Sequence, residues 1–321
     1  MATYPEYQNC KLCPRKCGVD RTQGRRGFCQ MSDKAVVNLI MHHYGEEPMI
    51  SGNTKQISAY KPELKGGSGT VFFEGCQLRC VFCQNNAISQ CETLQGRYMD
   101  AAELAAAYLK LQEEEAFNIN LVTASHFIPT VADSIRIARE RGLTIPVVFN
   151  CGGYENVDSL KLLEGLVDIY LPDMKYYASS ISQELAAAPD YFEVAKASVA
   201  EMVRQIGSIS IDDRGIMRRG VIVRHLMLPN ELFESKKIID YLMETYGNSI
   251  YISLMCQYTP CRDFILKNLH LSDKRKQKLL GTLNPKHYEH MVDYMAALGQ
   301  ERAFVQDFTS TGNELLPDFK K

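Results

Sequence analysis

Three cysteines crowd one short stretch of the chain. The segment "GCQLRCVFCQN" carries Cys76, Cys80 and Cys83 in the spacing C-x3-C-x2-C, directly after the strand-like run "GTVFFEG". With eleven cysteines and no charged-then-apolar leader in "MATYPEYQNC", reduced thiols or metal ligands are expected rather than disulfides. A closed structural zinc site takes four ligands. A tetranuclear iron–sulfur cluster has four irons, each normally held by a thiolate. Three thiolates in one loop therefore leave one iron open to a substrate or cofactor. The plainer alternatives are a zinc knuckle with a distant fourth ligand, or ordinary reduced cysteines.

A second set lies near the N-terminus. "CKLCPRKCGVDRTQGRRGFC" presents Cys10, Cys13, Cys17 and Cys29 as C-x2-C-x3-C-x11-C. Four thiolates in a segment with little core of its own suit a metal-organised subdomain, holding zinc or an auxiliary iron–sulfur cluster. Lys11, Arg15, Lys16, Arg21, Arg25 and Arg26 accompany them. Zinc on four thiolates carries a charge of about −2, which nearby cations balance. The other reading of the basic run is a contact patch for an acidic protein or RNA. Cys91, Cys151, Cys256 and Cys261 are read as plain reduced cysteines.

Hydrophobic periodicity says what must hold these loops. Strand-like runs cover 69–75, 118–125, 145–151, 167–173, 220–228 and 249–256. Helical patterns lie between them at 100–115, 128–142, 156–166, 181–206 and 235–247. Asp100 and Glu103 are spaced as a capping box, and Gly142 and Gly247 sit at C-terminal cap positions. Repeated βα units predict a parallel sheet with right-handed crossovers. Six such units fit a partial (β/α)6 TIM-like barrel, although alternation alone also fits a doubly wound sheet. Helices near 272–280 and 284–298 and a strand over 303–308 follow. The expected division is a Cys-rich metal-binding segment (1–35), a lead-in (36–67), the barrel (68–262) and a C-terminal helical cap with a final strand (263–321).

A hydrophobic content of 45%, a charged content of 23% and a formal charge of −2 are ordinary for a globular protein. They give no push toward nucleic acid or an anionic membrane. No apolar run reaches spanning length. A cytoplasmic protein without membrane or nucleic-acid partners is the expectation.

The C-x3-C-x2-C spacing, with aromatic Phe82 before the last cysteine, resembles the signature of the radical S-adenosylmethionine (SAM) superfamily. The wider stretch "SGTVFFEGCQLRCVFCQNNAISQ" is similar to the branch related to the pyruvate formate-lyase activating enzyme, and the resemblance covers roughly residues 68–260. It implies a 4Fe–4S cluster on Cys76, Cys80 and Cys83, with the amino and carboxylate groups of SAM on the open iron. One electron would cleave the sulfonium to methionine and a 5′-deoxyadenosyl radical, which abstracts hydrogen. The implied partners are an electron donor such as flavodoxin or ferredoxin and a glycyl-radical enzyme as target. Modification of another protein, RNA or small molecule is the alternative enzyme reading. Outside enzymes, the rival is a metal-binding adaptor or electron carrier.

The resemblance also assigns strand-end residues to the cofactor. Phe82 would lie near the adenine, or simply pack in the core. The Gly-Gly-Glu-like stretch of the superfamily is absent after the second strand, where "TASHF" offers Thr123, Ser125 and His126 instead. In "NCGGYE", Asn150 and Cys151 occupy the place of a polar pair near SAM, and Gly152 and Gly153 would let a ligand approach the backbone. Asp173 and Lys175 of "PDMK" match an Asp-x-Lys pattern facing the SAM pocket; a surface salt bridge is the plain alternative. Arg224 in "VIVRHLMLPN" is costly to bury without an anionic partner, and the resemblance points it at SAM. Met255 or Gln257 would close the set.

Overall fold

A computed structural model describes residues 4–52, 66–308, 317 and 319. Its strands are β1 (Ala35–His43), β2 (Ser68–Phe73), β3 (Arg97–Met99), β4 (Ile119–Val122), β5 (Val147–Cys151), β6 (Ile169–Pro172), β7 (Ser210–Ile211), β8 (Met217–Leu226), β9 (Tyr251–Met255) and β10 (Ala303–Val305). Its helices are α1 (Pro48–Ser51), α2 (Asn86–Ser89), α3 (Ala101–Glu113), α4 (Ile128–Glu140), α5 (Val157–Lys161), α6 (Ser179–Ala186), α7 (Tyr191–Ile206), α8 (Leu232–Tyr246), α9 (Arg262–Lys267), α10 (Asp273–Leu280) and α11 (Pro285–Ala297). Parts of the expected lead-in (53–65) and C-terminal cap (309–316, 318, 320–321) lie outside the described residues.

The sheet runs in the order β10-β9-β8-β6-β5-β4-β2-β1-β3, with the short β7 paired to β8. Every pairing from β2 through β10 on this path is parallel. The path does not close on itself, so the barrel is partial, as expected. Parallel strands are covered on both faces, and β2, β4 and β6 are buried at every position. That is why they read as continuous apolar runs. Among the described residues no helix is long and apolar enough to cross a membrane.

Local signals placed several elements. Asp100 accepts from the backbone N–H of Ala102 and Glu103, both at 3.0 Å, and Glu103 reaches back to the Asp100 N–H at 2.8 Å. The capping box opens α3 as read. The pattern over 181–206 is two helices, because Pro189 cannot continue α6 and Ala187 turns the chain at φ +53°. The pattern over 156–166 yields only the five-residue α5 before turns over 162–166, with Gly165 at φ +76°.

Three strands were not expected: the two-residue β7 and, at the sheet edge, β1 and β3. β1 lies antiparallel on β2, with Ile40 opposite Val71, and β3 lies antiparallel on β1. A bulge between Val37 and Leu39 interrupts the two-residue period that would have marked β1. The result is that the lead-in joins the barrel as its edge and carries its next residues to the strand ends.

Candidate active site

The C-terminal ends of β2, β4, β5, β6, β8 and β9 surround a cavity of about 270 Å³. Catalytic groups of α/β barrels gather at this face. Cys76, Cys80 and Cys83 all line it. Their loop leaves β2 through Gly75, at φ +81°. A Cβ there would stand 2.6 Å from Met31 Cγ and 2.8 Å from the Cys29 carbonyl, so only glycine fits. Each sulfur has a polar neighbour. The Leu78 N–H donates to Cys76 Sγ at 3.3 Å, the Tyr176 hydroxyl donates to Cys80 Sγ at 3.4 Å, and Ser89 Oγ lies 3.3 Å from Cys83 Sγ.

Burial pushes all three thiols up, that of Cys80 to about 11, and the neighbouring sulfurs add to the rise for each. A metal bound there would replace the protons and remove the repulsion. Among the described residues no three His, Cys, Asp or Glu side chains converge on one point as a single ion demands. Three thiols facing one cavity match the three-thiolate set of an iron–sulfur cluster with one open iron. A fourth cysteine, Cys151, also lines the cavity. Its thiol hydrogen-bonds to the buried Glu155, whose carboxyl burial raises to about 7.

Asp173 and Lys175 form an ion pair on the cavity wall. Burial opposes the Lys175 ammonium, but Asp173 and the Cys80 and Cys83 sulfurs outweigh it and keep the lysine charged. Tyr191 pins this turn. Its hydroxyl accepts from the Lys175 N–H at 3.0 Å and lies 2.8 and 3.0 Å from the carbonyls of Gly152 and Asp173. Gly153, at φ +75°, passes beneath that turn, and a Cβ there would sit 1.9 Å from the Asp173 carbonyl. Gly153 thus admits the chain's own backbone, while Gly152 lines the cavity.

Arg224 also reaches the cavity, and two of its three guanidinium nitrogens are paired within the chain. Nε donates to Glu47 at 2.8 Å, and Nη2 donates to Glu47 at 2.5 Å and to Glu46. Glu46 further accepts from Asn120 at 3.0 Å and lies 3.3 Å from His43 Nδ1. Burial opposes its ionisation, yet Arg224 and His43 hold Glu46 below the usual carboxylate range. The lead-in supplies the anionic partner that burial of an arginine demands.

Phe82, Asn150, Met255 and Gln257 line the cavity as the sequence suggested, and Phe82 packs on Tyr176 and Tyr258. Ser125 and His126 do not reach it. Both are fully buried, with His126 Nε2 2.8 Å from the Glu74 carbonyl and the Arg21 guanidinium donating to the His126 carbonyl at 2.6 Å. Burial first, and Arg21 second, depress His126 to about 3. Thr123 takes the wall position instead, at φ +61°. A β-branched residue held there is strained and marks a locally enforced turn.

The N-terminal cysteines are gathered in one place. Cys10, Cys13 and Cys29 are buried and Cys17 is half-buried. Burial raises Cys13 to about 12, with the other three sulfurs contributing. The basic run divides. Arg21 is wholly buried, donating to the carbonyls of Ser32 and His126. Arg15 donates to the Gln77 carbonyl at 2.9 Å, and Arg15 and Arg79 flank the Phe28 ring at 3.9 and 4.5 Å. These two arginines therefore clamp the Cys-rich segment onto the Cys76–Cys83 loop. Lys11, Lys16, Arg25 and Arg26 stay exposed.

Glu74 was not singled out from sequence. It is fully buried at the end of β2 and accepts from Asn38 Nδ2 at 2.7 Å, the Gln95 N–H at 3.1 Å and the Gly96 N–H at 2.7 Å. A carboxylate inside "VFFEGC" needs such partners, and that was the available signal.

No family model matches the chain. It is 29% identical over 260 residues to an uncharacterized protein of Methanocaldococcus jannaschii, covering 79% of this chain and 67% of that one. A second uncharacterized protein of that organism is 27% identical over 164 residues, 48% of this chain and 46% of that one. Among solved structures, Streptococcus suis SuiB bound to its precursor peptide SuiA superposes with a TM-score of 0.46 and 10% identity, covering 72% of this chain and 46% of that chain. A radical SAM methyltransferase from Sphaerobacter thermophilus gives 0.47 and 15%, covering 74% and 65%. The Escherichia coli coproporphyrinogen III oxidase HemN, described as a radical SAM enzyme, gives 0.46 and 11%, covering 81% and 60%. The chain spans about half the length of SuiB and of the second relative. Superpositions at this level carry no weight for chemistry.

Proposed function

We propose that the protein is a radical SAM enzyme. The observation that carries this is the meeting of three thiols from one loop with an ionised Asp173–Lys175 pair around one cavity at the strand ends. Cys76, Cys80 and Cys83 would hold a 4Fe–4S cluster. When bound, the cluster supplies the single electron that splits SAM into methionine and a hydrogen-abstracting 5′-deoxyadenosyl radical. The chain's own residues bind and orient. Asp173 offers an acceptor for ribose hydroxyls, Lys175 a cation for a carboxylate, and Asn150 an amide beside them. Phe82 supplies an apolar surface for the adenine. The buried walls keep water from the reacting centre.

Within this class we read the reaction as hydrogen abstraction from a protein glycine, with a flavodoxin- or ferredoxin-like reductant. The support for the glycine target is the similarity of "SGTVFFEGCQLRCVFCQNNAISQ" to the activating-enzyme branch. The N-terminal cysteines hold zinc or an auxiliary cluster. Metal counts on a variant lacking all four decide between these: loss of zinc alone makes the site structural, and loss of about four irons makes it a cluster.

One observation favours a second reading. Cys151 lines the same cavity, and as a fourth ligand it would close the cluster and make the protein an electron carrier. Anaerobic reconstitution separates the two. The proposal expects Cys151→Ala to retain about four irons at the loop, SAM to alter the electron paramagnetic resonance spectrum of the reduced cluster, and 5′-deoxyadenosine to form. Loss of the cluster in Cys151→Ala, with no spectral response to SAM in the parent, would overturn it.

A further inference from the structure

A basic, leucine-bearing surface lies beside the cysteine loop. The Cys261 thiol, at the start of α9, is 3.3 Å from the Cys83 carbonyl, and Gln84 Nε2 donates to the Gln257 carbonyl at 3.1 Å. These contacts pin the entry of α9 against the last cluster cysteine. Six helical residues span about 9 Å, so the whole of α9 stays near Cys83. α10 is tied to α9 by Lys276 Nζ, which donates to the Leu266 carbonyl at 3.1 Å.

The end of α9 and the turn that joins it to α10 expose apolar side chains that core packing does not use. Leu269 is 91% exposed and Leu266 45%. Arg262, Lys267 and Lys274 are exposed and make no ion pair among the described residues. Residues 262–278 carry six basic side chains against two acidic ones, in a chain whose net charge is −2. Arg275 is committed inward, to Glu184 and Glu231, Lys278 lies 3.9 Å from Glu231, and Lys276 is held by the Leu266 carbonyl. Exposed apolar anchors among mostly basic side chains, with exposed Asp263 and Asp273 as the acidic minority, are the anatomy of a protein interface, and the net charge favours a partner of opposite sign.

We propose that α9 and the first turn of α10 dock an acidic one-electron carrier protein, of the flavin or iron–sulfur class. This rests on the reading of the cysteine loop as a redox site, which needs one electron per turnover from outside. The transfer balances simply: the carrier loses one electron, the cluster at the loop gains it, and no proton or bond changes hands. The surface flanks Cys83, so docking there brings the donor to the edge of the redox site without entering the cavity.

The test uses the full reconstituted chain and an acidic flavodoxin. Binding is followed by titration, and reduction of the cluster by its visible absorbance. The expected result is that Lys267→Glu/Lys274→Glu weakens binding by at least about tenfold, that raised salt does the same to the parent, and that reduction by the carrier slows in parallel. Leu269→Ser, at a side chain almost wholly in solvent, weakens binding without moving the thermal midpoint. Reduction by dithionite stays unchanged in all variants. Binding and carrier reduction as in the parent would overturn the proposal. So would weakened binding of a single-stranded RNA probe with the carrier unaffected. Failure to cleave SAM with dithionite would instead strike the enzyme reading, leaving the binding and reduction results to judge the surface.

Discussion

At the scale of single residues, the pair Asp173–Lys175 shows how a short motif acquires its meaning. "PDMK" reads equally as a surface salt bridge, and it becomes a cavity pair because Tyr191 and the Arg224 carbonyl hold its backbone. Both side chains are about four-fifths withdrawn from water. Lys175→Met should therefore leave Asp173 short of its counter-charge and lower stability by about 1–3 kcal/mol in a denaturant midpoint. Asp173→Leu in the same chain should return much of that loss, since the uncompensated charge is gone. Additive losses in the double variant would mean that the two groups do not act as a pair. Ser125 and His126 make the opposite case. The residue types were right for ligand contact, but the turn enforced at Thr123 takes both off the cavity wall, His126 against Arg21 of the N-terminal segment and Ser125 against Glu155. A one-residue change in direction cannot be read from composition.

At the scale of elements, the glycines discriminate sharply. Gly153 carries the β5 turn beneath the Asp173 carbonyl, where a Cβ would clash at 1.9 Å. Gly142 has positive φ but open space around it. Gly153→Ala is expected to cost more than about 3 kcal/mol or to prevent folding, and Gly142→Ala about 1 kcal/mol. Equal, small shifts in the two unfolding curves would contradict the close approach. The helices with strong local signals, α3 with its box and α4 with its amphipathic stripe, were legible in advance. β1 was not, because its bulge breaks the alternation and its pairing with β2 is settled some thirty residues further along the chain. The split between α6 and α7 was legible in Pro189 and was overlooked by the period alone.

At the scale of the whole molecule, buried histidines tie stability to pH. Burial depresses His225 to about 4, and burial with Arg21 depresses His126 to about 3. An unfolded chain binds these protons near pH 6.5, which the folded one refuses until far lower. The folded state is thus favoured above about 6.5 and loses ground as pH falls through the window below it, by about 1.4 kcal/mol per unit for each histidine. The unfolding midpoint should drop between pH 7 and pH 5 and flatten in His225→Gln; a midpoint level across that range would refute the account. The sequence by itself determined the chemistry on offer. Two cysteine sets, their spacings and the βα alternation are properties of neighbours along the chain, and they survive any packing. Tertiary structure alone decided the partners. Glu46 and Glu47 meet Arg224 from about 180 residues away, Arg15 meets Gln77 across 62, and Cys151 arrives at the cavity of Cys76 from another strand. Which charge fills an arginine, and which face a side chain presents, depend on how distant segments pack. That is set by burial summed over the whole core rather than by local pattern.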